Sequence, residues 1–256
     1  MRARAVWLMC SVAGTRGLST SMSTLARRCG LLAVSRSLDD TMARCITGDA
    51  AMARLCTEIA STWTHKGLED AMRQRESTGM RALWLRKAAD EGGDSQLVLL
   101  PAGLDTAAHD RKCAAGRHVF EVDDPKVTSL KRHLVDTRGA QVERVAASVT
   151  YVEESLAGYS WPWALLKSGF DVSRPSTWLV PDLAIEDVDD EARVRMLRAP
   201  LIYAPSGSTL VVCIRTPQRD RWGLNSPSEY LGSLGYSSVK HIKVGVDGEV
   251  GVIARV

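Results

Sequence analysis

Apolar residues follow two different periods along this chain. Met42, Cys45 and Ile46, then Met52, Leu55, Cys56 and Ile59, recur three and four residues apart. That spacing lines one face of a helix, so residues 39–93 are expected to be helical. Gly92–Gly93 stops the run because glycine favours a helix end over a helix interior. From Gln96 the period shortens. Gln96–Leu100 (QLVLL), His118–Val122 (HVFEV), Arg144–Val152 (RVAASVTYV), Thr177–Val180 (TWLV) and Ser208–Ile214 (STLVVCI) are runs of strand length. A helix is expected after Pro125, with Val127, Leu130, Leu134 and Val135 on one face. Near the end, Val239–Val246 and Glu249–Val256 flank Asp247-Gly248, which is a hairpin signal.

Strands that alternate with helices imply βαβ units and a mostly parallel sheet covered on both faces. The last pair adds an antiparallel hairpin. The expected class is therefore α/β. This pattern alone leaves methyltransferases, nucleotide hydrolases and dehydrogenases open. No internal repeat of solenoid length is present. The chain divides into a leader, 1–38; a helical segment, 39–93, expected to lie as a lid over the mouth of the sheet; and the α/β body, 94–256.

Composition narrows this little. The 256 residues are 45% hydrophobic and 25% charged, ordinary for one large globular domain or two small ones. No run approaches the ~18 apolar residues of a membrane-spanning helix. Charge is more informative. The net charge is +3, but the first 38 residues hold six arginines and no acid, so residues 39–256 carry −3. The body has no basic excess of the kind that attracts nucleic acid. The Arg- and Ser-rich leader has the composition of a mitochondrial or plastid transit peptide; an unstructured tail of a cytoplasmic protein is the alternative. The six cysteines, at 10, 30, 45, 56, 113 and 213, form no CxxC pair and no zinc spacing, and read as free thiols. No metal is expected.

Candidate chemistry gathers where the strands end. The first strand runs into Ala102-Gly103-Leu104-Asp105-Thr106. Ligands of open α/β sheets bind beyond the carboxyl ends of the strands, and a glycine there lets backbone approach them closely. Neither the GxGxxG fingerprint nor the phosphate loop GxxxxGK[ST] is present, which favours a nucleoside ligand without a pyrophosphate. The second strand ends in Phe120-Glu121-Val122-Asp123. Alternation puts Glu121 and Asp123 on one side, and a carboxylate in that place can accept both ribose hydroxyls. No GxSxG elbow appears, which disfavours a hydrolase. Asp187-Val-Asp-Asp-Glu191 lacks calcium-loop spacing and reads as a helix start. His109 is expected on a surface helix, and Trp161 and Trp163 in core or lid packing.

These residues carry a resemblance. QLVLLPAGLDT (Gln96–Thr106), then VFEVDDPKV (Val119–Val127) with Lys131-Arg132, WPWALLKSGFD (Trp161–Asp171), PSTWL (Pro175–Leu179) and APSGSTL (Ala204–Leu210) together resemble the leucine carboxyl methyltransferase family. LGSLGY (Leu231–Tyr236) is a weaker match beyond them. The resemblance implies a Rossmann-like methyltransferase sheet with S-adenosylmethionine as cofactor. It implies that Ala102, Gly103 and neighbouring backbone out to Asp105 contact the methionine part, that Asp123 binds the ribose with Glu121 beside it, and that Glu154 or Ser155 sits near the adenine. Pro101 replaces the family's usual small residue, Ala107 its frequent arginine, and Pro181-Asp182 its Glu-Gly pair; Asp182 is the candidate replacement carboxylate. No side chain is assigned to the chemical step. Methyl transfer from a sulfonium depends mainly on alignment and water exclusion. A carboxylate acceptor, on a small molecule or a protein C-terminus, needs cations to hold it; Arg75 and Arg81 are the candidates. The departures also motivate a second reading, a non-catalytic scaffold that keeps the fold. Nucleic acid is disfavoured as a partner, and the oligomeric state is not read from the sequence.

Overall fold

The computed structural model describes residues 75–103, 105, 107–138, 145–180, 189–214, 227–244 and 250–256. The leader, residues 39–74, Asp182 and the Asp247-Gly248 turn therefore lie outside the described residues. Helix α1 (Arg75–Gly92) precedes strand β1 (Gln96–Leu99). A 3-10 turn (Ala107–His109) and the short helix α2 (Arg111–Ala114) lead to β2 (His118–Asp123). Then come α3 (Pro125–Arg138), β3 (Ser148–Glu153), α4 (Trp161–Lys167), β4 (Ser176–Val180), α5 (Asp190–Tyr203) and β5 (Thr209–Ile214). Helix α6 (Pro227–Leu234) and strands β6 (Ser238–Lys243) and β7 (Val250–Arg255) complete the described fold.

The strands form one sheet in the order β3-β2-β1-β4-β5-β7-β6. β1 to β5 are parallel to their neighbours, while β7 pairs antiparallel with both β5 and β6. The parallel sheet with a terminal antiparallel pair expected from the sequence is present. One difference concerns register along the chain. β3 starts at Ser148, four residues beyond the expected Arg144.

Side-chain alternation sorts the core into two layers. Val98, Leu100, Phe120, Val122, Trp178, Val180, Leu210 and Val212 face Trp161 and Leu165 of α4, Met196 and Leu197 of α5 and Leu231 of α6. Leu97, Leu99, Val119, Leu179 and Val211 face Leu85, Ala88 and Ala89 of α1 and Cys113 and Ala114 of α2. Helices therefore cover both faces, which explains why the strands read as continuous apolar runs. In the first layer, Phe120, Phe170 and Trp178 stack edge to face, with centroids 5.6 and 5.5 Å apart. The Trp178 indole N–H donates to Ser176 Oγ at 2.9 Å, so its burial strands no donor. Asp189 caps α5, its carboxylate accepting the Ala192 N–H at 2.7 Å; the acidic run is a helix start.

The expected lid segment is described only from Arg75, and its final turns are a layer of the core. Small residues let α1 lie close to the sheet. A Cβ at Gly251 of β7 would fall 2.5 Å from Trp84, and one at Gly92 would fall 2.5 Å from Thr177 Oγ1 of β4. Gly251 pairs with Cys213, late in β5, whereas Thr177 is the second residue of β4. α1 therefore runs against the parallel strands, with its first turns on the carboxyl-end side of the sheet. No described helix is long and apolar enough to cross a membrane.

Candidate functional site

β1 lies between β2 and β4, so successive crossovers leave it in opposite directions. That reversal opens a crevice beyond the strand carboxyl ends. The chain leaving β1 stays tied to both neighbours: the Leu100 N–H donates to Leu179 O, and the Ala102 N–H to Val122 O, each at 3.0 Å. The Leu100–Pro101 bond is cis, and Pro101 is buried. At Gly103 the chain turns with φ 52°, a left-handed conformation that side chains other than glycine resist. Its N–H donates to Asp123 Oδ2 at 2.6 Å.

Asp123 is thus joined directly to the glycine turn. Its other oxygen accepts the Asp124 N–H at 2.7 Å, and its backbone carbonyl accepts the Glu154 N–H at 2.9 Å. The carboxylate is buried. Burial pushes its pKa from 3.8 to about 6, against the pull of the Gly103 and Asp124 amides. Each oxygen takes one described N–H, and each retains a second lone pair with which to accept a hydroxyl. Glu154 is half-buried at the end of β3 and its carboxylate accepts from Ser160 Oγ at 2.7 Å. Ser155 is exposed, and its carbonyl accepts the Gly158 N–H at 3.0 Å. Ala102, Gly103, Asp123 and the Glu154 backbone therefore meet at the ends of three adjacent strands.

Glu121 and Asp105 do different work. Glu121 shares a face with Asp123, as alternation predicts, but it is fully buried and paired with Lys131 of α3 at 2.6 Å. Burial pushes its pKa up, while the Lys131 ammonium pulls it down. The Glu121 carboxylate is thus committed to a buried ammonium, whereas Asp123 at the strand end has no such ion pair among the described residues. Asp105 turns inward to an ion pair with Arg86 of α1. Its Oδ1 also accepts the Ala107 N–H at 2.8 Å. Arg86 is itself buried, with Nε 3.8 Å from Asp110 Oδ2 and Nη1 3.9 Å from Cys113 Sγ. These acids hold its pKa above the ordinary guanidinium range, although burial, the largest influence, acts in the opposite sense.

The sequence reading missed Arg86 and gave Lys131 no role. Lys131 has a legible signal: it stands four residues after Val127 on the apolar face of α3, opposite a glutamate on β2. Arg86 has a weaker one, since it interrupts the Leu85, Ala88, Ala89 stripe. His109 is buried on the 3-10 turn rather than on a surface helix. Trp161 is wholly buried in the first core layer, and Trp163 is 65% exposed. Arg75 and Arg81 lie on α1 toward the carboxyl-end side, ~14 and ~5 Å along the helix from Trp84 by the standard rise.

Comparison with known proteins agrees with this geometry. The family described as leucine carboxyl methyltransferase matches residues 23–184, more than half of the chain. A Frankia alni protein provisionally named as an S-adenosyl-L-methionine-dependent methyltransferase is 40% identical over 50% of this chain and 43% of its own length. A Mycobacterium ulcerans protein of the same provisional name is 30% identical over 75% of this chain and 59% of its own length. The chain thus spans about half the length of the curated relatives it matches. A solved DUF574-family protein from Streptomyces avermitilis superposes with a TM-score of 0.54 at 18% identity, covering 83% of this chain and 99% of the other. A structure described as a methyltransferase by provisional title, from Thermobifida fusca, gives 0.54 at 19% identity, over 95% and 98%. These structures share the fold, and the match over residues 23–184 shows that the chain belongs to the leucine carboxyl methyltransferase family.

Proposed function

We propose that this protein is an S-adenosylmethionine-dependent methyltransferase that transfers a methyl group to an oxygen, most simply a carboxylate on a small molecule or a protein C-terminus. The observation that carries the reading is the hydrogen bond from Gly103 N–H to a buried Asp123 carboxylate at the switch point of the sheet. It supports the reading because a carboxylate able to accept ribose hydroxyls then stands beside a glycine turn that backbone can approach closely.

When bound, S-adenosylmethionine supplies a methyl group on a positively charged sulfur. The residues present fit such a ligand. Asp123 retains lone pairs for the ribose. Ala102 and Gly103 present backbone to the amino-acid end, and Glu154 or Ser155 borders the adenine side. Asp182, two residues beyond β4 in sequence, is the candidate replacement carboxylate. Arg75 and Arg81 orient an acceptor carboxylate from the first turns of α1. A carboxylate acceptor is already ionised near neutral pH, its pKa being about 4, so no general base is required. What remains for the protein is alignment and exclusion of water.

A second reading, a scaffold that keeps the fold without turnover, draws on the burial of Asp123 and on Pro101. Isothermal titration of the full chain with S-adenosylmethionine and S-adenosylhomocysteine separates the two. Saturable binding near micromolar affinity, about −8 kcal/mol, followed by turnover on a carboxylate acceptor, supports the enzyme. A folded chain that binds neither compound refutes it.

A further inference from the structure

The buried guanidinium of Arg86 belongs to no role described so far. It lies on α1, yet its partners are in the segment that follows β1: Asp105 as an ion pair, Asp110 Oδ2 at 3.8 Å and Cys113 Sγ at 3.9 Å. Its side chain is 3% exposed. Asp105 in turn fixes local backbone. Its Oδ1 accepts the Ala107 N–H at 2.8 Å, and its own N–H donates to Ala102 O at 3.0 Å. Within the span closed by the Asp105–Ala102 bond lies Gly103, whose N–H reaches Asp123.

We infer that Arg86 is the positioning residue of the cofactor turn: through Asp105 it holds Ala102, Gly103 and Ala107 in the arrangement that aims the Gly103 amide at Asp123. The inference rests on the cofactor reading above for its consequence in binding, but not for its structural content. A guanidinium suits this task because its planar fork holds two carboxylates from one side at fixed angles, which a lysine ammonium cannot do. Ala102 and Gly103 carry no polar side chain of their own, and Asp105 is the described residue of the segment that ties it to α1. The brace comes from another helix instead.

The test uses Arg86→Met and Arg86→Lys in the full chain. Gly251→Ala is the control, since it disturbs α1 packing against β7 without touching the turn. Amide hydrogen exchange at Gly103, Asp105 and Ala107 is read first. Arg86→Met should accelerate exchange at these three amides relative to the rest of β1 and β2, and Arg86→Lys should restore part of the protection. Gly251→Ala should leave their protection unchanged relative to the same strands. Titration with S-adenosylmethionine is read second. Arg86→Met should weaken binding by about tenfold or more, as expected for a displaced contact surface, while Gly251→Ala lowers the melting temperature at constant affinity. Should the wild-type protein bind no cofactor, the exchange result alone decides, and the functional proposal fails separately. Folded Arg86→Met with wild-type protection at the three amides overturns the inference. So does an affinity loss equalled by the control.

Discussion

Asp123 offers a test in which the sign of an effect, not only its size, is fixed by the structure. Its carboxyl titrates near 3.8 in the unfolded chain and at about 6 in the folded one. The folded state thus holds the proton more tightly. The stability contributed by this group is complete below pH 3.8 and is lost as pH rises through 6. The loss amounts to about 3 kcal/mol by pH 7, from the linkage of pKa to stability. Asp123→Asn removes that dependence. The amide keeps one acceptor oxygen for the Gly103 or the Asp124 N–H and fails the other, at a cost of about 1–2 kcal/mol. The variant should therefore be less stable than wild type at pH 4 and more stable at pH 8, with the curves crossing between. Urea denaturation from pH 4 to 8, followed by fluorescence of the buried Trp161 and Trp178, measures both curves. The cofactor reading adds a second half. Ribose hydroxyls donate to the ionised form, so binding should expel a proton between pH 4 and 6, and Asp123→Asn should lose affinity while gaining stability at pH 8. Parallel stability curves would refute the reasoning, because they would mean that the carboxyl is not held apart from water.

Two further substitutions probe what supports the site. Lys131→Met leaves Glu121 buried without its partner and should cost roughly 3–5 kcal/mol, much of which the double variant Glu121→Gln/Lys131→Met should recover; additive losses in denaturant titrations would argue against a coupled pair. Gly251→Ala drives a methyl group into the Trp84 ring and should cost about 1–3 kcal/mol, lowering Tm by about 2–4 °C for each kcal/mol in a domain of this size; an unchanged Tm would mean that α1 lifts off β7 freely.

The sheet was legible because parallel strands buried on both faces must be apolar throughout. QLVLL and TWLV are apolar on both faces, while HVFEV carries a buried glutamate that only its ion pair with Lys131 explains. Strand order within the parallel part was not legible, since nothing in an apolar run says which neighbour it takes. The site was legible where one residue type has one physical reason to be there, as at Gly103 and Asp123. It was not legible where two distant residues cancel each other's charge. Glu121 and Asp123 are indistinguishable in sequence, two carboxylates on one face of one strand. Lys131 separates them, and it lies a helix turn into the next element. Arg86 stands 19 residues before its partner Asp105, in a segment whose helical reading rested on the apolar spacing of residues 42–59. The reach of α1 under the sheet rests on Gly92 and Gly251, and glycine announces a turn in sequence far more readily than a close approach.

The antiparallel end of the sheet sets the order in which a growing chain can finish folding. β6 is made before β7, yet its described strand pairing is with β7, and β7 in turn is seated on β5. Among the described strands, β6 therefore has no sheet partner until β7 has been synthesised. A message truncated just ahead of Val250 would cost the protein two strands, and would leave the apolar edge of β5 bare. An exposed edge of that kind is a template for aggregation. Loss of β7 alone would thus be expected to remove two strands from the sheet, because β6 is paired to it.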